Sequence, residues 1–299
     1  MTDGARTALS VPHPVPIGVF DSGVGGLSVL RAIRQQLPAV PVIFLADQAH
    51  VPYGPRSLEQ VRLFSEAITR YLLDRGCKLI VVACNAASAA ALQFLRQKFP
   101  DTPFVGMEPA VKPAAELTRT GVVGVLATPA TFQGALYASV VERFANGVTL
   151  LPHTCPGLVA QIEAGQLDTP QTRLILEDAL APMLAQGIDT VVLGCTHYPF
   201  VIPLIQEITG PRVRVIDPAP AVARQVVRLL EAHGWMAQGG ILPSLSPIRY
   251  PLGLAPVEFL TTGEAAGLRS LLPRLLGEEG DVRQLHWDEA ADLPVISML

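Results

Sequence analysis

Two segments of this chain share one design, a short run that is apolar at every position and ends in a cysteine. Residues 79–88 read LIVVACNAAS, and residues 191–199 read VVLGCTHYP. A run without polar alternation is typical of a strand buried on both faces of a parallel sheet. We therefore predict an α/β fold with Cys84 and Cys195 at the carboxyl ends of two strands, the edge where such sheets bind ligands.

Strand-like and helix-like segments alternate along most of the chain. Further strands are predicted at residues 17–20, 42–46, 102–107, 122–127 and 212–216. Helices are predicted at residues 27–37, 57–75, 86–99, 132–144, 158–165, 170–186, 200–208, 219–233 and 263–276. The second helix opens with a capping box, Ser57 and Gln60. Such alternation predicts parallel strands joined by crossover helices.

The pattern starts again after residue 111, which suggests two similar halves. Cys84 lies 63 residues after Asp21, and Cys195 lies 68 residues after Ala127, at the end of a matching strand. With 299 residues, 49% of them hydrophobic, the chain is long enough for two domains. We predict two similar open, mainly parallel α/β domains with the active site between them. The domains are residues 17–111 plus 226–299, and residues 112–225.

The ends and the linkers of these domains carry less pattern. Residues 1–16 are expected to be a loose N-terminal leader, and they lack the apolar core of a signal peptide. Residues 236–247 are rich in Gly, Pro and Ser, which is typical of a loop or linker. From residue 248 onward there are short strand-like runs, and the last residues show no pattern.

Composition excludes several classes of function. The net charge is −4 and Lys and Arg are not clustered, which argues against a nucleic-acid surface. No apolar run has the length of a membrane span, so no membrane partner is expected. The four cysteines include no C-x-x-C pair and no H-E-x-x-H motif occurs, so a metal site is not expected. The cytoplasm is the predicted location.

Two thiols at strand ends suit the transfer of a weakly acidic proton. One thiolate removes a proton from one face of a carbon, and the other thiol returns one to the opposite face. A single cysteine at the end of a strand more often packs in the core than takes part in catalysis. Two cysteines in matching positions favour a catalytic role. Cys77 has no comparable context and is interpreted as structural, whereas Cys155 is a secondary candidate for the pocket wall.

Other polar groups near the two cysteines could assist them. Residues 21–26, DSGVGG, lie between a strand and a helix, so the N–H groups of this turn could cradle an anion. Asp21 could orient a substrate ammonium group or assist a thiol. His197, two residues after Cys195, could act as an acid, a base or an orienting group.

At these residues the chain resembles the glutamate racemases. Five motifs occur in the order seen in that family: FDSGVGGL at 20–27, VPYG at 51–54, ACNAAS at 83–88, EPAVK at 108–112 and GCTHYP at 194–199. The match spans roughly residues 16–277. It implies cofactor-independent interconversion of L- and D-glutamate, which supplies D-glutamate for peptidoglycan, and it makes a homodimer plausible.

The resemblance also assigns roles to residues. Cys84 and Cys195 fall on the two acid/base positions, with Asp21, His197 and Glu163 as their helpers. The substrate-binding positions are Asp21, Ser22, Tyr53, Gly54, Asn85, Ala86, Thr196 and His197. Many family members carry threonine where this chain has Ala86, so a hydroxyl donor is missing unless water or Ser88 replaces it.

Three other functions stay open at this point. The same thiol pair could serve a racemase of another amino acid or of hydantoins. A thiol hydrolase or redox protein would need the cysteines for different chemistry. A non-catalytic binding protein on this scaffold is the third alternative, favoured only by Ala86.

Overall fold

The structure is a computed structural model that describes residues 15–235, 255–288 and 295–298. The predicted linker at 236–247 lies outside the described residues, as does the predicted leader apart from its last two positions. Within the described ranges the strands are β1 Ile17–Asp21, β2 Val42–Ala46, β3 Leu79–Val82, β4 Phe104–Gly106, β5 Val122–Ala127, β6 Thr149–His153, β7 Thr190–Gly194, β8 Arg214–Ile216, β9 Val257–Thr261, β10 Val282–Asp288 and β11 Val295–Met298.

The helices alternate with these strands. They are α1 Leu27–Gln36, α2 Leu58–Asp74, α3 Asn85–Lys98, α4 Val111–Leu117, α5 Pro129–Gln133, α6 Ala135–Phe144, α7 Leu158–Glu163, α8 Pro170–Ala185, α9 Ile202–Thr209, α10 Ala219–Ala232 and α11 Ala265–Leu275, with 3-10 turns at Val24–Gly26 and Tyr198–Val201. The capping box before α2 is confirmed, since the Gln60 N–H donates to Ser57 Oγ and the Ser57 N–H donates to the Gln60 side chain.

The described strands form two sheets with a shared pattern. One has the order β11-β10-β9-β2-β1-β3-β4 and the other β6-β5-β7-β8. All pairs are parallel except β10 with β11. The order β2-β1-β3-β4 matches β6-β5-β7-β8, so β1 corresponds to β5 and β3 to β7. The predicted fold of two similar, mainly parallel α/β halves is confirmed.

The central strands are the ones that the apolar pattern predicted. β1, β2, β3 and β7 are buried at every position, as expected of strands covered on both faces by helices. One cluster of buried apolar side chains continues from the first sheet into the second, and includes Val19, Leu30, Val226 and Leu193. This shared core continues between the halves, and α3 of the first half also packs against α5 of the second.

Four elements differ from the sequence-based predictions, and one of them is α4, a helix at Val111–Leu117 where no helix was predicted. β6 was not predicted, because it is an edge strand that is half exposed and contains Pro152. The helix expected at 132–144 is two helices, α5 and α6, which are separated at Gly134. β11 was not predicted either, since the end of the chain shows no clear alternation. β9–β11 extend the first sheet, while the exact domain boundaries stay a prediction.

Candidate active site

The site lies where the carboxyl ends of strands from both sheets meet. Asp21 ends β1 and Cys84 follows β3 by two residues, while Thr128 and Cys195 directly follow β5 and β7. One pocket is lined by Ser22, Pro52, Tyr53, Gly54, Cys84, Asn85, Ala86, Thr128, Val159, Cys195, Thr196 and His197. The structure thus brings together every residue predicted for the site, and all line the pocket except Asp21 and Glu163, which lie behind it.

Cys84 caps the helix that follows it. Its sulfur accepts from the N–H of Ala87 at 3.4 Å, and its thiol points to Ser22 Oγ at 3.8 Å. Burial raises the pKa of the Cys84 thiol well above its usual value, and the nearby carboxyl group of Asp21 raises it further. The resting form of Cys84 at neutral pH is therefore the thiol, which can donate a proton.

Asp21 is fully buried beside this thiol. Its Oδ2 accepts from the N–H of Gly26 at 2.8 Å, and its Oδ1 from Thr196 Oγ at 3.4 Å. Burial raises the pKa of Asp21, and the charge of His197 opposes that effect. The carboxyl group thus connects the turn after β1 with the segment that carries the second cysteine.

The thiol of Cys195 is hydrogen-bonded to His197, which is hydrogen-bonded in turn to Glu163. His197 Nδ1 lies 3.6 Å from Cys195 Sγ, and His197 Nε2 lies 2.6 Å from Glu163 Oε1. Burial alone lowers the pKa of His197, but the hydrogen bonds to Cys195 and Glu163 outweigh it, and the pKa lies well above its usual value. His197 is therefore an imidazolium that can stabilise negative charge developing on Cys195.

The glycine-rich turn at residues 21–26 holds carboxylates of the protein itself. The N–H groups of Gly26 and Val24 donate to Asp21 and to Glu163 Oε1, the latter at 2.8 Å. A side chain at Gly23 would collide with Glu163, and one at Gly25 would come within 2.5 Å of His197 Nδ1. The anion-binding role predicted for this turn is therefore filled by Asp21 and Glu163, and these N–H groups are not available to a ligand.

Asn85 presents an unpartnered polar group to the pocket. Its side chain is 3% exposed, and neither its amide nitrogen nor its amide oxygen has a hydrogen-bond partner among the described residues. An unpaired buried amide is costly. A bound molecule with polar groups would satisfy both atoms.

Tyr53 contributes a wall whose hydroxyl is already bonded. It donates to Asp47 Oδ2 at 2.6 Å, and burial, reinforced by the Asp47 charge, raises the pKa of Tyr53 well above its usual value. The neighbouring Gly54 lies so close to Thr128 that an added Cβ would come within 2.9 Å of the threonine Cβ. The loop after β2 therefore packs directly against the second sheet.

Three lining residues were not predicted from the sequence: Pro52, Thr128 and Val159. Thr128 could have been found, since Ala127-Thr128 ends the strand that corresponds to β1. Its hydroxyl bonds only to Thr131 Oγ, at 3.2 Å, among the described residues. Ser88 does not replace the hydroxyl missing at Ala86, because its own Oγ donates to Val82 O and accepts from the N–H of Met107.

The remaining two cysteines lie away from the pocket. Burial raises the pKa of both Cys77 and Cys155 to about 12. Cys77 packs in the core as predicted, while Cys155 lies behind Cys195 and does not line the pocket. No group of three or more metal-ligating side chains occurs in the described ranges. Among those residues no helix is long and apolar enough to cross a bilayer.

The pocket is nearly closed. The space open to a water centre is about 20 Å³, which holds roughly one water molecule. The Ala130 N–H of the second half donates to Gly54 O of the first half at 3.2 Å, across the mouth of the site. An amino acid needs more room than the pocket has in this state.

Fold and site together define a class of α/β protein in which two thiols from parallel strand ends share one buried pocket. A model of the Asp/Glu/hydantoin racemase family matches residues 17–226 of the chain. The chain belongs to this family, and the prediction of an amino-acid racemase is confirmed.

Individual relatives make the similarity more specific. A glutamate racemase of Ectopseudomonas mendocina is 48% identical over 267 residues, which cover 89% of this chain and 97% of the relative. A glutamate racemase of Bacillus anthracis of known structure is 32% identical in sequence to this chain. The alignment covers 95% of this chain and all of the B. anthracis chain, with a TM-score of 0.78. The structure of the Escherichia coli glutamate racemase was solved with L-glutamate and the activator UDP-MurNAc-Ala, and its sequence is 33% identical to this chain. The alignment covers 91% of this chain and 97% of the E. coli chain, with a TM-score of 0.74.

Proposed function

We propose that this protein interconverts L- and D-glutamate with Cys84 and Cys195 as its two acid/base groups. The observation that carries the proposal is that both thiols line one small pocket, each from the corresponding strand end of its half. Glutamate is the proposed substrate because the relatives are glutamate racemases and one related structure holds L-glutamate.

The reaction needs only a proton transfer on each face of the α carbon. One cysteine, as thiolate, takes the α proton, so that the C–H bond breaks, an S–H bond forms and the carbon becomes a planar carbanion. The other cysteine, as thiol, gives its proton to the opposite face, and its sulfur becomes the thiolate. Atoms and charge balance without any further reactant, and the roles reverse for the other enantiomer.

Each thiol has a different helper. Asp21, buried beside Cys84, is suited to receive a proton from that thiol or to bind the substrate ammonium group. His197, backed by Glu163, is suited to stabilise the thiolate of Cys195. The proton transfer at Cys84 and the proton transfer at Cys195 therefore depend on different ionisable groups.

The polar wall of the pocket is suited to the substrate's carboxylate and ammonium groups. We propose that Asn85, Thr196 and Ser22 bind them, with Thr128 supplying a further hydroxyl. The hydrogen bond from the Ala130 N–H to Gly54 O, which joins the two halves beside the pocket, supports closure of the halves over the substrate, which would exclude water from the carbanion.

The direct test is conversion of L-glutamate to D-glutamate in buffer with a chelator and no added cofactor. We expect turnover by the wild type and by Cys77→Ser, which changes a thiol away from the pocket. Loss of turnover in both single variants, Cys84→Ser and Cys195→Ser, would exclude a mechanism that uses only one thiol. A wild-type protein that binds glutamate without converting it would contradict the proposal and favour a binding protein.

The family also includes racemases of other substrates, and Ala86 alters the wall of the pocket. The same assay with L-aspartate and a hydantoin separates these candidates. We expect glutamate to be converted fastest; rapid racemisation of aspartate with glutamate untouched would overturn the substrate assignment.

The role in the cell is part of the proposal. We infer that the product D-glutamate supplies peptidoglycan synthesis in the cytoplasm and that the enzyme acts as a homodimer. Expression in a bacterium that requires added D-glutamate should restore growth, and light scattering should give twice the chain mass. Growth that still requires D-glutamate despite active enzyme would exclude the cellular role.

A further inference from the structure

Gln48, two residues after β2, makes contacts that no motif in the sequence predicts. Its Nε2 donates to Glu163 Oε2 at 3.0 Å, and its Oε1 accepts from Thr261 Oγ at 2.8 Å. Thr261 ends β9, and its Oγ accepts from the N–H of Gly263 at 3.0 Å. The half-buried Gln48 side chain thus connects the far end of the chain to the active site.

The hydrogen bonds determine which way the Gln48 amide points. Because the Gly263 N–H donates to Thr261 Oγ, the threonine hydrogen is directed to another acceptor, and that acceptor is Gln48 Oε1. The amide oxygen therefore faces Thr261, and the amide NH2 faces the Glu163 carboxylate. A flipped amide would place two oxygens against each other.

We propose that Gln48 is a positioning residue that holds the Glu163 carboxylate in the orientation in which it receives His197. Oε1 of Glu163 accepts from His197 and from the Val24 N–H, whereas Oε2 accepts only from Gln48 within the described ranges. A carboxylate with only one oxygen held can rotate about its last bond. With both oxygens held, its plane is fixed.

The proposal extends the proposed function, since it assigns Gln48 to the Cys195 side of the reaction. The groups that face His197 are Cys195, Glu163 and Asp21. Of these, Gln48 contacts only Glu163. If the Glu163 carboxylate can rotate, its hydrogen bond to His197 is therefore expected to weaken and the pKa of His197 to fall. Asp21 and Cys84 should stay in place.

The test compares Gln48→Leu with Gln36→Leu, the same substitution at an exposed position whose amide, among the described residues, reaches only Pro220 O at 3.5 Å. We expect Gln48→Leu to lower kcat roughly 10-fold, the effect of one hydrogen bond to a charged group, with KM changed less than about 2-fold. Gln36→Leu should match the wild type. The imidazole pKa of His197, followed by NMR and assigned with His197→Asn, should fall in Gln48→Leu.

A second pair of variants tests the orientation of the amide without touching Gln48. Thr261→Val removes the donor to Gln48 Oε1 and should lower kcat and the His197 pKa, whereas Thr261→Ser keeps the hydroxyl and should restore both. This pair also decides the question if Gln48→Leu does not fold.

The outcomes separate this proposal from the function on which it rests. An unchanged His197 pKa in Gln48→Leu and Thr261→Val overturns the positioning role, even if kcat falls, because a structural defect alone would not move it selectively. If the wild type does not racemise glutamate but the His197 pKa falls in both variants, the proposed function is wrong and the positioning role of Gln48 is supported.

Discussion

At the scale of single residues, the two cysteines of the site differ in their surroundings. Burial and Asp21 keep Cys84 in the thiol form, while Cys195 lies beside an imidazolium that Glu163 supports. The site is therefore not symmetric, although the two strands that carry the thiols correspond.

Ala86 offers a test of the missing hydroxyl. Because Ser88 is bonded elsewhere, Ala86→Thr should add a donor to the pocket and lower KM for L-glutamate by up to about 10-fold. Ala86→Val, which has the same shape without the hydroxyl, is the control and should not lower KM. Equal gains in both variants would show that added bulk is responsible.

Two buried thiols outside the pocket predict a loss of stability in alkali. Burial raises the pKa of Cys77 and Cys155 to about 12 in the folded state, against about 8.5 when unfolded. Below the unfolded value both states keep the proton and stability is unaffected. As pH rises through the window between the two values the unfolded state alone releases protons, so the free energy of unfolding falls.

Urea unfolding at about pH 8 and about pH 10.5 measures this effect. Cys77→Ser, which does not titrate in this range, should show a smaller decrease between the two pH values than the wild type. An identical decrease in both proteins would show that Cys77 makes no contribution.

At the scale of elements, the end of the first sheet supports the wall of the pocket. Asp47, which follows β2, accepts from Tyr53, from Thr262 Oγ at 2.7 Å and from Trp287 Nε1 at 2.7 Å. Trp287 lies on β10, after residue 226, where the match to the family model ends. The last described strands are therefore tied to the loop that carries Tyr53.

Trp287→Phe removes one of these donors and keeps an aromatic ring. We expect a loss of about 1.5 kcal/mol or more in the free energy of unfolding, because the acceptor is a buried carboxylate, and a higher KM as the Tyr53 loop loosens. Trp235→Phe, at a ring stacked on His233, is the matched control. Equal stability losses in the two variants would argue against the Asp47 contact.

The sequence was sufficient for those elements whose physical signal is local. Fully apolar runs predicted β1, β2, β3 and β7, and the capping box predicted the start of α2. β6 gave no such signal, since a half-exposed edge strand needs neither continuous apolarity nor the absence of proline. Val159 and Gln48 belong to no motif, and only the folded chain brings Val159 to the pocket and Gln48 to Glu163.

At the scale of the whole molecule, the two halves meet over a pocket that has room for roughly one water. The hydrogen bond from the Ala130 N–H to Gly54 O crosses the mouth and must break when the halves separate. Opening of the free protein and closure over substrate should therefore be visible at this amide.

Hydrogen exchange measures that motion. We expect the amide of Ala130 to exchange more slowly when glutamate is bound, because halves that close over the substrate keep water away from this amide. The amide of Val19, in the central strand β1, is the internal control and should not change. Unchanged exchange at Ala130 under saturating glutamate would contradict closure by separation of the halves.

The central claim is that Cys84 and Cys195 act on opposite faces of one carbon. It is tested most directly by following the α proton in D2O with Cys84→Ser and Cys195→Ser. Each variant should fail to racemise and should lose deuterium incorporation preferentially from one enantiomer, with the two variants affecting opposite enantiomers. Rapid deuteration of both enantiomers by a variant that lacks one thiol would contradict the two-base account.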